Sequence, residues 1–317
     1  MRIGIIGTGA MGCLFAARLA PLADVTVLGT WREAVHALQV FGVRLCENGH
    51  EVTAPVRAQS DPGQVEPVDL ALVLVKGCQT ERAARWAEKI LRAEGIALTL
   101  QNGLGNLEII EAEVGAPRAA LGVSLQGATL LGPGHVRHAG CGLTTVAARS
   151  ENRARLEEVA TLFTGAGIET CLTDDVRTLL WSKLVVNTAI NALTAILRVP
   201  NGWLVENADA RAVMEQAARE TAAVAMALGI ALPCDDPAAQ AVLAAQATAT
   251  NYSSTLQDVL RGAPNELSMI NGAVVREAQR IGMRAPVNAA LLHLARALEQ
   301  AAGSRQSSQA RKHLVNG

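Results

Sequence analysis

The sequence predicts an α/β domain, a parallel sheet wound with helices, followed by an all-α domain. Three observations carry this. Short β-branched or aliphatic runs alternate with helical segments through the first half. From Asp174 onward strand signals nearly vanish, and long Ala/Leu-rich segments take over, broken at Pro200, Pro233, Pro264 and Pro286. A length of 317 residues exceeds one ordinary α/β core and suits two domains with a cleft between them. The predicted domains are 1–173 and 174–303, with a disordered tail over 304–317.

Taken in order, the strands are predicted at 2–6, 25–28, 70–75, 97–100 and 120–123, with a helix from Ala10 to about Leu19 after the first. The 70–75 run is continuously apolar, as a central parallel strand covered on both faces would be. Gly-rich short runs around 132–147 predict hairpins on the edge of that sheet. A helix over about 152–165 and a short strand near 169–172 close the first domain.

Composition excludes several function classes. Half the residues are apolar and 18% charged, which excludes disorder for the bulk of the chain. The 28 basic and 29 acidic residues nearly cancel, and no long basic run precedes Arg311 and Lys312, so no nucleic-acid partner is predicted. The six cysteines, at 13, 46, 78, 141, 171 and 234, show no metal-ligand spacing, so no metal is predicted; they are expected to be small buried hydrophobes. The start lacks the features of a signal peptide. Apolar runs such as 70–75 fall short of the roughly 18 residues of a membrane span, so no membrane partner and a cytoplasmic location are predicted. The apolar stretch 221–232 would bury itself internally or in a dimer, leaving monomer and homodimer both open.

Gly7-Thr8-Gly9-Ala10-Met11-Gly12 matches G-x-G-x-x-G between the first strand and a helix, the context that gives this motif its value. Gly7 would permit the tight turn, Gly9 the approach of a pyrophosphate, and Gly12 close helix–strand packing, with the helix N-terminus facing the phosphates. This is the Rossmann dinucleotide arrangement. The second strand ends Leu28-Gly29-Thr30-Trp31-Arg32 with no carboxylate before Glu33, which favours NADP(H) over NAD. Thr30 and Arg32 are the candidate 2′-phosphate contacts, although Arg32 would serve equally as a solvated helix start. Lys76 and Asn102 follow later strands at the sheet end where ligands bind, and are candidate cofactor contacts; each has a structural alternative, a sheet-edge cap and a turn residue.

The segment 179–193 is apolar almost all round except for Lys183, Asn187 and Asn191, which at i, i+4 and i+8 share one helical stripe. Burying an ammonium and two amides is costly unless they are satisfied, and a polar ligand would satisfy them. Hydride delivery to a ketone requires a proton on the oxygen, which a desolvated lysine can give. Asn251, Ser254 and Asp258, at i, i+3 and i+7, are expected on one helical face, with Asn251 and Ser254 suited to holding a carboxylate and hydroxyls. Glu266, past a helix break, would orient the lysine or accept a substrate hydroxyl. Seen singly, each is as well explained as a surface residue or cap.

These stretches, with Pro200-Asn201-Gly202, the 253–258 run, and Glu266 followed by Ile270-Asn271-Gly272, together resemble the ketopantoate reductase (2-dehydropantoate 2-reductase) family from Met1 to about Ala301. The resemblance implies a Rossmann domain joined to a helical domain like that of 6-phosphogluconate dehydrogenase. It implies NADPH-dependent reduction of a small-molecule 2-keto acid, 2-dehydropantoate to (R)-pantoate in pantothenate biosynthesis. It further implies Lys183 as general acid, Asn187 and Asn191 lining the substrate site, and site roles for Asn201, Asn251, Ser254 and Glu266. One departure stands out: family members often carry Arg where Thr30 stands, clamping the adenosine 2′-phosphate. Rival readings are a reductase of another 2-keto acid, a 3-hydroxyacid dehydrogenase on the same plan, and a non-catalytic NADP-binding sensor, against which Lys183, Ser254 and Glu266 argue.

Overall fold

A computed structural model describes residues 1–298 and 300. The chain divides into two compact units, one formed by Met1–Gln101 and Gly105–Val176, the other by Asn102–Leu104 and the chain from Arg177 on. The tail expected over 304–317 lies outside the described residues.

The first unit is built on twelve strands and five helices. In chain order these are β1 (Arg2–Ile6), α1 (Ala10–Leu19), β2 (Asp24–Leu28), α2 (Arg32–Phe41), β3 (Val43–Glu47), β4 (His50–Ala54), β5 (Arg57–Gln59), β6 (Val68–Val73) and α3 (Thr80–Ile90). There follow β7 (Leu91–Thr99), α4 (Asn106–Val114), β8 (Ala119–Ser124), β9 (Gly127–Gly132), β10 (His135–Gly140), β11 (Thr144–Ala147), α5 (Arg153–Gly165) and β12 (Thr170–Thr173).

Eight strands form the main sheet in the order β12-β11-β8-β7-β6-β1-β2-β5. All neighbours run parallel except β8 and β11. Both faces are covered, which is why β1 and β6 are buried along nearly their whole length. Strand order reverses at β1, between β6 and β2, so the carboxyl ends of β1 and β6 open the crevice where such sheets bind ligands. Relative to the predicted 70–75, β6 lies two residues earlier, because the chain turns at Lys76 into a 3₁₀ turn over Gly77–Gln79.

The Gly-rich region around 132–147 departs from expectation. Only β11 joins the main sheet; β9 and β10 belong to a second sheet, β4-β3-β10-β9. The cause is the apolar alternation of Val43, Leu45 and Val136, which buries one face of this small sheet with Leu14 and Phe15 of α1. The β3–β4 hairpin, absent from the predicted strands, turns at Asn48 and Gly49, with φ of 49° and 79°.

The cysteine expectation is also corrected. Cys13 is buried, but Cys46 and Cys234 are half-buried and Cys78, Cys141 and Cys171 exposed: Cys78 lies in the 3₁₀ turn, Cys141 and Cys234 on loops and Cys171 at an outward position of β12. Cys46 lies opposite Glu51 across the β3–β4 pair, its thiol 3.4 Å from that carboxylate, while His135 of β10 bonds the same carboxylate at 3.0 Å. Three strands supply this group, so linear spacing hides it.

The second unit is helical: α6 (Val176–Leu197), α7 (Trp203–Glu206), α8 (Ala208–Ala227), α9 (Pro237–Ala247), α10 (Ser254–Arg261), α11 (Asn271–Arg280) and a further helix over 286–298. At 22 residues, α6 is long and apolar enough to cross a membrane by composition, which corrects the expectation that every apolar stretch falls short. Most of it is buried within the fold, as a core helix is. It ends where Arg198 takes φ of 57° ahead of Pro200. The apolar side of 221–232 is buried among these helices, leaving Met226 exposed.

A buried polar network ties the helices together. The Thr188 and Thr221 hydroxyls are 2.8 Å apart, and Asn271 Nδ2 donates to the Thr188 carbonyl and to Asn288 Oδ1, both at 3.0 Å. The Glu220 carboxylate accepts from the Val287 and Asn288 backbone N–H groups at 2.9 and 3.0 Å and from Asn288 Nδ2 at 3.0 Å. A carboxylate thus meets the first N–H groups of the 286–298 helix, where the helix end is positive.

Candidate active site

The fingerprint loop has the shape its glycines imply. Gly12 packs so tightly that a Cβ there would stand 1.9 Å from the Gly7 carbonyl oxygen. At Gly9, by contrast, a Cβ would meet nothing within 4 Å, and the residue is exposed. Gly9 is also the N-cap of α1, with no side chain capping the helix and no acidic residue in its first turn. The first turn of α1 is therefore left without a side-chain cap, beside a glycine whose backbone a pyrophosphate can approach, and the loop fits a dinucleotide cofactor. Thr8 is buried, while Ala10 and Met11 are half-buried.

Beyond β2, Thr30 and Arg32 are both exposed, Arg32 as the first residue of α2. Sequence reasoning missed what reaches Thr30: Nη2 of Arg82, from α3, lies 3.5 Å from the Thr30 hydroxyl. The half-buried Lys76 follows β6. Behind it, the buried Gln101 amide donates to the Val75 carbonyl at 2.8 Å and to the Thr80 hydroxyl at 2.9 Å, tying the loops after β6 and β7 together. Gln101 was legible only as the residue before Asn102.

In the helical unit, Lys183, Asn187 and Asn191 do occupy one stripe of α6; Asn191 is buried and the other two half-buried. Desolvation brings the Lys183 ammonium down from 10.5 to about 8, opposed by the charge of Glu266, which favours the protonated form. Glu266 is buried in the turn between α10 and α11. Its carboxylate accepts from Asn102 Nδ2 at 3.1 Å. The Asn102–Leu104 segment reaches this turn because Gly103 (φ 85°) lies against the Met269 carbonyl, where a Cβ would come within 2.1 Å, and Leu104 N–H donates to that carbonyl at 3.0 Å. Lys183, Glu266 and Asn102 are thus brought together, although Asn102 was expected as a cofactor contact.

The expectation that Asn251, Ser254 and Asp258 share one helical face fails. Ser253, extended at ψ 155°, is the N-cap of α10, its hydroxyl accepting from Leu256 N–H at 3.1 Å. Asn251 therefore precedes the helix and is exposed, and the buried Asp258 pairs with Arg261 at 3.1 Å. Instead Asn251 meets Asn201: the Asn201 N–H donates to the Asn251 carbonyl at 3.0 Å, and Asn201 Nδ2 donates to Thr248 Oγ1 at 2.9 Å. Asn201 Oδ1 is buried with no partner among the described residues.

Known proteins are similar to this chain in sequence and fold. Residues 3–151 match the family model "Ketopantoate reductase PanE/ApbA" and residues 175–299 match "Ketopantoate reductase PanE/ApbA C terminal". The 2-dehydropantoate 2-reductase of Halobacterium salinarum is 37% identical over 301 residues, 93% of this chain and 98% of that protein. That of Pyrococcus horikoshii is 33% identical, over 96% and 99%. A solved PanE/ApbA family ketopantoate reductase from Ralstonia eutropha superposes with a TM-score of 0.86 at 34% identity, covering 95% of this chain and 99% of the other. D-mandelate dehydrogenase with NADH and anilino(oxo)acetate superposes with a TM-score of 0.90 at 27% identity and the same coverage.

Proposed function

The chain belongs to the ketopantoate reductase family, and on that premise we propose that it reduces 2-dehydropantoate to (R)-pantoate with NADPH, Lys183 giving the proton. The observation that carries this reading is a lysine on an apolar helix whose pKa burial brings to about 8, beside the buried Glu266. Such a group is protonated at neutral pH yet gives its proton readily.

A dinucleotide held by its pyrophosphate at the glycine-rich loop would supply, from its reduced nicotinamide, the hydride for the keto carbon. The chain's own residues do the rest. Lys183 Nζ donates to the carbonyl oxygen as charge develops there. Glu266 keeps Lys183 charged until that point and is itself held by Asn102. Asn187, Asn191, Asn251 and Ser254 are assigned to the substrate's carboxylate and hydroxyls, and the Asn201 carbonyl oxygen is an acceptor of the same kind. Gly7, Thr8, Gly9, Ala10, Met11 and Gly12, with Thr30, Arg32 and Lys76, are assigned to the cofactor. The reading is of a cytoplasmic enzyme, monomer or homodimer, with a small-molecule substrate and no nucleic-acid or membrane partner.

A second reading, reduction of another 2-keto acid, is favoured by the likeness to D-mandelate dehydrogenase. The deciding experiment follows nicotinamide absorbance with ketopantoate and with benzoylformate, for wild type and Lys183→Ala. Higher kcat/KM on ketopantoate, lost in the variant, supports the first reading. Preference for benzoylformate selects the second, and turnover by neither overturns the ketopantoate assignment.

A further inference from the structure

The loop after β2 lacks the carboxylate that would hold a ribose 2′-hydroxyl, and at Thr30 it carries only a hydroxyl. Its place is fixed by its neighbours. A Cβ on Gly29 would stand 2.4 Å from Cγ2 of Thr8, so this loop lies directly against the glycine-rich turn. One residue further on, the Thr30 hydroxyl faces the Arg82 guanidinium at 3.5 Å.

We propose that Arg82, delivered from the first turn of α3, is the cation that reads the adenosine 2′-phosphate of the cofactor, and that it replaces an arginine on the β2 loop. This rests on the reading of the chain as an NADPH-dependent reductase. Two features favour Arg82 over Arg32, the other arginine near that loop. The Arg82 guanidinium lies over the Trp86 ring, 5.9 Å from its centroid, one helical turn along α3, which restricts it before any ligand arrives. It is already directed at the Thr30 hydroxyl, whereas Arg32 starts α2 with no hydrogen bond or ion pair among the described residues. No carboxylate pairs with Arg82 among the described residues, so its charge is not neutralised there. At 3.5 Å the contact with Thr30 is long for a hydrogen bond. A phosphate lying beside the pair would accept from both the hydroxyl and the guanidinium fork, a stronger arrangement than either group makes with the other.

Calorimetric titration with adenosine 2′,5′-bisphosphate and with 5′-AMP, which lacks the 2′-phosphate, tests this without turnover. Wild type is expected to bind the bisphosphate more tightly. Arg82→Ala should lose about 10- to 100-fold of that affinity with 5′-AMP binding unchanged. Arg82→Lys should recover part of the loss. The proposal is overturned if Arg82→Ala keeps wild-type affinity for the bisphosphate, or loses both probes equally, which is a structural effect. If wild type itself does not distinguish the probes, the NADPH reading fails and the proposal with it. Discrimination that survives Arg82→Ala removes the proposal alone.

Discussion

Changing Glu266 to Gln removes a charge that opposes the desolvation of Lys183. With a pKa of about 8, Lys183 is about 90% protonated at pH 7 and about 10% at pH 9. An ordinary lysine would remain almost wholly charged at both. If Lys183 is the general acid, reductive kcat/KM is flat below pH 8 and falls about tenfold per unit above it. Oxidation of the hydroxy acid runs the other way, rising through the same pKa, because the neutral amine must then accept the proton. Glu266→Gln leaves burial in place and withdraws the favourable charge, so the limb moves to lower pH, and at pH 8 the reductive rate drops while the plateau at low pH is kept. The assay is initial rate against pH, from about 6 to 10, for both proteins. A wild-type profile flat to pH 10, or a Glu266→Gln limb that stays put or moves to higher pH, would refute the reasoning.

Three further outcomes are expected. Gly9→Ala should leave the melting temperature nearly unchanged but weaken cofactor binding, whereas Gly12→Ala, whose Cβ would meet the Gly7 carbonyl, should cost about 1–3 kcal/mol of stability as well; thermal melts and cofactor titration separate them. Glu220→Ala strands the Val287 and Asn288 donors and should lower the unfolding free energy by about 3 kcal/mol or more, read from urea midpoints. Ser253→Ala removes the α10 cap and should cost about 1 kcal/mol by the same measurement.

Local signals in the sequence carried much of this. The first strand was legible to the residue, because an apolar run stops at a glycine-rich turn, and α6 was legible because an apolar segment free of Gly and Pro runs into Pro200. The Asn48-Gly49 hairpin was written in the sequence as an Asn-Gly pair and was overlooked. The parallel pairing of β3 with β10 was not legible, since strands far apart in the chain carry no mark of each other. At the site, the spacing of Lys183, Asn187 and Asn191 gave the stripe directly. Asn251 and Ser254 were misread as one helix because periodicity cannot see that Ser253 starts a helix rather than continuing one. The pairs Asn102–Glu266 and Thr30–Arg82 join residues from separate elements, so the tertiary fold alone reveals them.

The chain crosses between its units three times, because Asn102–Leu104 is spent on the helical unit before the sheet is finished. The helical unit is therefore not a contiguous piece of gene. A fragment beginning at Arg177 would lack Leu104, which packs with Trp181 and Ile270, and would lose the amide that holds Glu266. During synthesis those three residues leave the ribosome long before the helices they serve. No single cut yields both parts whole, and exchange of helical halves between relatives must carry this loop along or break the group around Lys183.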